Sequence, residues 1–374
     1  MLPKLFDRSL NAALANTLKF IGTINHCTKC EVTEVRNGAY TLELETTVLD
    51  DCADLILSQR IIGAKPNPFD PLQYFEIQKT ERGLDGIIKV EAKHIKNLCF
   101  QYCSEGDLGS EGDITTITGT PKEIWDKLTG SYITTNVPFT FASDITTKAG
   151  FSLGWDTPES LGNMLGGKEG SFLDVWGGEF YWDNYSISLL KARGSKKPYQ
   201  IRYGSNISDA KQTETCANTY SHVLPYGKVT LEDHKINFYS DVFEISGHEC
   251  QTTKVFMLDC TSFLDNYSVG RFGVRYQETR EAMTKYAKNY ATLNNLGKLQ
   301  VSIDITLRAE LDEMSEIGLC DTVTVILDNF GTKATAKITE VTYNTLLERW
   351  EKLTVGQSTV TVADIILNGK RYIK

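Results

Sequence analysis

The run Tyr40-Thr41-Leu42-Glu43-Leu44-Glu45-Thr46-Thr47-Val48 repeats with a period of two. That period puts Tyr40, Leu42, Leu44, Thr46 and Val48 on one face, the pattern of a half-buried strand. The run EVTEVR precedes it, and Asn37-Gly38 stands between the two. The pair therefore reads as a β-hairpin with a tight Asn-Gly turn. QYFEIQKT and DGIIKVEAKHI, around Arg82-Gly83, form a second strand pair. Residues 1–118 thus read as a β-rich domain that closes in the polar glycine loop EGDLGSEGD at 105–113.

The period then changes. Thr120-Pro121-Lys122-Glu123 supplies the N-cap, the N1 proline and the N3 glutamate of a helix start. Ile124, Trp125 and Leu128 give that helix an apolar stripe. Thr157-Pro158 is expected to open a second helix that stops at Gly166-Gly167. Ser171–Trp176 reads as a helical turn ended by Gly177-Gly178, and EFYW and YSISLLKAR flank Asp183-Asn184 as a hairpin. A phosphate loop needs strand, glycine loop and helix in that order, with Lys-Ser/Thr in the Walker form. LGGKEGSFLDVWGGEFYWDNYSISLLKARG, residues 165–194, has helix, Gly-Gly, helix, Gly-Gly and hairpin. Its glycines read as punctuation.

From Gln200 short strands return in YQIRYG and SHVLPYGKVTL. Residues 246–296 hold a strand-rich piece and the helix ETREAMTKYAKNYATL, with Ala282, Tyr286, Tyr290 and Leu293 on its apolar face. QVSIDITLRAEL, DTVTVIL, KATAKITEVTYN and RWEKLTVG finish the chain as strands. The fold class is mainly β with α+β insertions, and 374 residues suit several domains. The division is 1–118, a first β-barrel; 119–198, an inserted α+β domain; 199–245 with 297–357, a second β-barrel; 246–296, an inserted domain with a helix; and 358–374, a C-terminal segment.

A net charge of −9 argues against a protein held to nucleic acid by phosphate contacts. Charges at Lys4, Asp7, Arg8 and Lys19 interrupt the first twenty residues, so no signal peptide is read there. No apolar stretch is long enough to span a membrane as a helix. Nine cysteines without a regular framework suit reduced thiols and assembly in a cytosol.

His26-Cys27-Thr28-Lys29-Cys30 carries a CxxC. A structural zinc site wants a second ligand pair, and a redox site wants a strand-to-helix junction. Neither follows here, so Cys27 and Cys30 are expected to be free thiols without zinc. His248, Cys250 and Cys260 make a looser cluster with the same expectation. EGDLGSEGD lacks calcium-loop spacing and reads as a solvated loop. No G-x-S-x-G elbow is present. The aromatics of EFYWDNY could make a sugar platform, although buried anchors are the commoner role. No catalytic, cofactor-binding or metal-ligating residue is assigned, and no cofactor is expected.

Several segments together resemble one family. FEIQKTERGLDGIIKVEAKHIKNL looks like the paired strands and A-x-H-I-x-x-L of Gram-positive siphophage and prophage tail-associated proteins. Residues 165–194 resemble their GG-E-G-S-x-L-D-x-[FW]-GGE block with its hairpin and terminal Arg-Gly. IRYGSNIS and VLPYGK are similar to two further motifs. Residues 318–357 look like the last barrel of that family, with Cys320 where glycine is common. This is the prophage endopeptidase tail family, whose N-terminal module is similar to the central baseplate hub of T-even phages.

The resemblance implies a virion structural protein, a homotrimeric baseplate hub whose six barrels ring the siphophage tail tip. It would be assembled in the bacterial cytoplasm. It would sit below the distal tail protein, contact the tail tube and tape-measure protein, and let DNA pass without tight binding. The host cell wall is a further candidate contact at the tip. Wall-degrading activity in this family usually belongs to a C-terminal extension. With Lys374 soon after the final barrel, the expectation is a hub and not an enzyme. The competing readings are a peptidoglycan hydrolase of the tail tip and a carbohydrate-binding tail module.

Overall fold

The computed structural model describes residues 1–8, 18–104, 116–133, 136–152, 159–166, 170–202, 207–217, 219–231, 234–264, 273–307, 316–327 and 332–356. The loop at 105–113 and the pair Thr157-Pro158 lie outside them. The chain forms two compact units. The first holds Met1–Ala210, Asp304–Val325 and Thr335–Gly356, and the second holds Lys211–Ile303 and Ile326–Ala334. No helix among the described residues is long and apolar enough to cross a membrane.

The first unit begins with seven strands: β1 (Lys4–Arg8), β2 (Leu18–Thr23), β3 (Lys29–Val35), β4 (Tyr40–Thr47), β5 (Ile61–Ala64), β6 (Gln73–Arg82) and β7 (Ile87–His94). They lie in the order β3-β4-β7-β6-β5-β1-β2. Both hairpins expected from the alternating runs form, β3 with β4 and β6 with β7. Tyr40, Leu42, Leu44 and Thr46 point into the core with Val32, Phe75, Val90 and Ala92. Val48 does not join them. It lies past the end of β4 in a turn and is exposed. The β3–β4 connection also departs from a two-residue turn. Val35 N–H bonds the Ala39 carbonyl at 2.8 Å across Arg36, Asn37 and Gly38, and only Asn37 takes positive φ.

Next come β8 (Cys103–Ser104), β9 (Thr116–Gly119), α1 (Pro121–Lys127), β10 (Thr140–Ser143), β11 (Ala149–Ser152), β12 (Glu159–Ser160), α2 (Leu161–Leu165), α3 (Phe172–Trp176), β13 (Glu179–Asp183), β14 (Ser186–Leu190) and β15 (Lys196–Arg202). Helix α1 starts as its sequence dictates. The Thr120 hydroxyl accepts from Glu123 N–H, the Glu123 carboxylate accepts from Thr120 N–H, and Pro121 fills the first turn. Helix α2 is capped by the Ser160 hydroxyl, which accepts from Asn163 N–H. These elements enclose an aromatic core. Trp125 stacks on Phe141 at 4.9 Å, and Phe172 meets Phe151 at 5.0 Å.

The second unit contains most of β16 (Ile207–Thr215), then β17 (His222–Leu231), β18 (His234–Tyr239), β19 (Phe243–Glu244), β20 (Val255–Asp259), α4 (Thr261–Leu264) and α5 (Val274–Leu293). Strand β17 pairs antiparallel with β18 and β19 and parallel with β20. Helix α5 buries Thr279, Met283, Ala287 and Ala291, flanked by half-buried Tyr276, Tyr286 and Tyr290. The expected face is thus rotated. Ala282 is only half-buried, and the stripe nearest the core runs through the smaller residues. The reason is room, because small side chains let the helix approach Val223, Phe238 and Leu258.

The chain ends its described part with β21 (Gln300–Leu307), β22 (Thr322–Leu327), β23 (Thr332–Asn344) and β24 (Arg349–Gly356). Strand β23 pairs with β24 on one side and with β3 on the other, setting Thr342 opposite Thr33 and Tyr343 opposite Val32. The β-rich start and the β-rich end of the sequence therefore share one sheet.

Thr120→Ala removes the acceptor that caps α1 while leaving its buried Trp125 in place. It is expected to lower the unfolding free energy by about 1 kcal/mol, read from the denaturant midpoint. A change below roughly 0.3 kcal/mol would show that packing alone holds the helix.

Candidate functional site

In the first unit, residues 170–194 return to the sheet through two glycines that nothing else could replace. Gly177 caps α3 at φ +68, its N–H bonded to the Leu173 carbonyl at 2.9 Å. Gly178 follows at φ +92, where a Cβ would stand 2.6 Å from the Leu190 carbonyl oxygen. The pair turns the chain so that Glu179 enters the protein with a relative exposure of 1%. A buried carboxylate needs cations and donors. Its Oε1 lies 2.6 Å from Lys337 Nζ and 2.8 Å from Arg36 Nε, and its Oε2 accepts from Arg193 N–H at 2.8 Å. Burial pushes the Glu179 carboxyl upward, but the Lys337 and Arg193 hydrogen bonds and the Arg36 charge outweigh it. The net displacement is downward from the ordinary 4.5.

A second pair completes the lock. The Arg193 guanidinium grips both Glu34 oxygens, at 2.5 and 3.1 Å, and lies 4.9 Å from the centre of the Tyr181 ring. Tyr181 in turn donates to Asp70 at 2.8 Å. Gly194 follows immediately, and a Cβ there would fall 2.1 Å from the Cys320 carbonyl. Cys320 itself sits at φ +70, a conformation that glycine adopts without strain.

The hairpin turn is held as firmly. Asn184, at φ +50, accepts from Tyr74 N–H and donates to the Leu72 carbonyl, each at 2.9 Å. Gln73 bridges Asp183 and His94. His94 Nδ1 accepts from Lys96 N–H at 3.1 Å, which leaves Nε2 to carry the proton and donate to Gln73 Oε1. Burial, and then the Lys96 charge, hold His94 well below its usual pKa, so it stays neutral. At the other end, Asn37 donates to the Gly178 carbonyl at 2.9 Å and accepts from Phe180 N–H at 2.8 Å. The tip of the β3–β4 hairpin is thereby pinned to β13.

These groups are chemically occupied. Glu34 and Glu179 are each ion-paired, and both His94 nitrogens are engaged. The EFYWDNY aromatics are anchors and not a platform, since Phe180 and Trp182 are buried. Cys27 is half-buried and donates to the Lys29 carbonyl at 3.0 Å, while Cys30 is fully buried in the sheet core. The hydrogen bond with Cys30, and then burial, push the Cys27 thiol upward. In the second unit, His248 pairs with Glu244 at 3.3 Å, Cys250 donates to the Thr219 carbonyl at 3.7 Å, and Cys260 lies in the core. They do not converge on one point. Among the described residues no three His, Cys, Asp or Glu side chains are placed to hold a metal ion.

With the fold in view, three solved structures are similar over nearly their whole length. One is the prophage tail protein gp18 from Listeria monocytogenes EGD-e, with a TM-score of 0.58 at 14% identity, covering 99% of each chain. It shares its fold with prophage tail proteins. A tail protein from Neisseria meningitidis MC58 gives 0.56 at 10% identity, over 98% of this chain and 99% of that one. The 43 kDa tail protein of prophage MuSo2 from Shewanella oneidensis gives 0.54 at 12%, over 97% and 99%. No family model matches the chain, and no curated protein matches it in sequence.

Sequence reasoning missed the lock itself. Its signal lay in Gly177-Gly178-Glu179 and Arg193-Gly194, but the partners Glu34, Arg36 and Lys337 come from segments far away in the chain.

Arg193→Met leaves Glu34 buried and unpaired and is expected to cost about 3–5 kcal/mol in a denaturant titration. The double variant with Glu34→Leu should recover a large part of that loss, and strictly additive costs would argue against coupling. Glu179 has a folded pKa below its unfolded value. Its contribution is therefore full above 4.5 and is lost as pH falls through the lower folded value. Glu179→Gln should flatten the acid limb of stability against pH, and an unchanged limb would refute the assignment.

Proposed function

We propose that this chain is a structural protein of a phage or prophage tail, built into a trimeric baseplate hub at the tail tip. The observation that carries this reading is the fold shared with prophage tail proteins over 99% of both chains. The interior supports it, because the buried charged residues at the sheet junction pair with one another and hold the architecture together. In this reading residues 1–118, and 199–245 with 297–357, are the two hub barrels. Residues 119–198 and 246–296 are the insertions that close or decorate the distal end, and 358–374 is a C-terminal segment.

The hub would sit below the distal tail protein, adjoin the tail tube and tape-measure protein, and be assembled in the host cytoplasm. The net charge of −9 suits a channel wall past which DNA slides without being held. A wall hydrolase or a sugar-binding module has less behind it, because the aromatic cluster is buried and the junction carboxylates are ion-paired.

Light scattering coupled to size exclusion, over a concentration series and with the distal tail protein added, is expected to give a mass three times that of the chain. Monomers or twofold dimers under every condition would overturn the hub reading.

A further inference from the structure

Between Ile95–Gln101, α2, α3 and β13 lies a cavity of about 280 Å³, just below the usual range for drug-sized ligands and suited to a smaller molecule. Its walls include Phe100, Leu165, Leu173 and Trp182, and its polar groups include Lys96 and Asn97. Glycines shape it. A Cβ at Gly162 would stand 2.5 Å from the Phe100 ring, and one at Gly166 would stand 2.7 Å from Leu173 Cδ1.

Lys96 is the group the fold does not use up. Its ammonium donates to the Gly38 carbonyl and lies 5.9 Å from the Tyr40 ring centre and 5.5 Å from that of Trp182. Among the described residues no carboxylate lies within ion-pair distance of it. Glu34, which acts on it through space, is gripped by Arg193. An ammonium has three donors, and one carbonyl satisfies one of them. Burial, which outweighs the Glu34 charge, brings this amine down to about 8. A cation in mainly apolar surroundings is costly until an anion meets it.

We infer that this cavity is a binding site for a small apolar monocarboxylate, its acid group on Lys96 and Asn97 and its hydrocarbon body between Phe100, Leu165, Leu173 and Trp182. A single cation with one amide suits a monoanion better than a phosphate, which asks for more donors. The walls ask for an aliphatic or aryl-alkyl body the size of a medium-chain fatty acid. The site makes no use of trimer formation and stands apart from the hub reading.

The test is calorimetric titration of the full chain with octanoate, alongside octanol and octylamine. Octanoate should bind saturably at one site, with octanol at least roughly tenfold weaker, since it lacks the charge-assisted hydrogen bonds. Lys96→Met should weaken octanoate by a similar factor, and Leu165→Trp, which fills the cavity and keeps the lysine, should abolish binding. Circular dichroism checks that each variant is folded. If Lys96→Met does not fold, the octanol comparison on the native chain and Leu165→Trp decide. No saturable heat up to about 10 mM octanoate, equal affinity for octanol, or unchanged binding in a folded Lys96→Met would each overturn the site.

Discussion

The first unit depends on a buried charge balance. Glu34 and Glu179, with exposures of 4% and 1%, are buried carboxylates whose counter-charges come from Arg193, Arg36 and Lys337. The five residues come from β3, the turn after it, the start of β13, the segment after β14, and β23. Each charge is tolerable only when the others have arrived, so the cluster specifies one arrangement of three distant chain segments. Such a cluster is weak evidence for net stability, because apolar substitutes can pack as well. Its contribution is to penalise arrangements that leave any member alone.

The same logic explains the polar residues at the ends of the β13–β14 hairpin. Asn37 and Asn184 both sit at positive φ, and both use their amides to bond the backbone of another segment. Asparagine suits both duties, since it accepts a left-handed backbone and offers a donor and an acceptor at short reach. The hairpin is thereby tied at its entry by Asn37 and at its turn by Asn184.

Features decided within a few residues were legible in the sequence. The capping box of α1, the glycine end of α3, the two β hairpins and the mainly β class all rest on local pattern. What was misread depended on tertiary fit. The stripe of α5 could be drawn through tyrosines or through small residues, and only the neighbouring sheet decides between them. Only one half of the ion lock has a local signal, in Gly177-Gly178-Glu179 and Arg193-Gly194, because charges on alternating strands normally face solvent. Nothing local marks Glu34 as the one that turns inward against Arg193.

The pairing of β3 with β23 has a consequence for synthesis. Thr33 and Thr342 share a hydrogen bond across 309 positions of sequence. At ordinary elongation rates the flank of β3 waits about 15–60 s for its partner strand to leave the ribosome. During that wait an open strand edge is exposed to any other nascent chain. The edge is guarded by its own composition, since Lys29, Glu31 and Glu34 lie along β3. The residue that later becomes the buried anchor of the ion lock thus begins as a solubilising charge on an unfinished sheet. Arg193 makes it a fastening, and the arrival of β23 covers the edge it guarded.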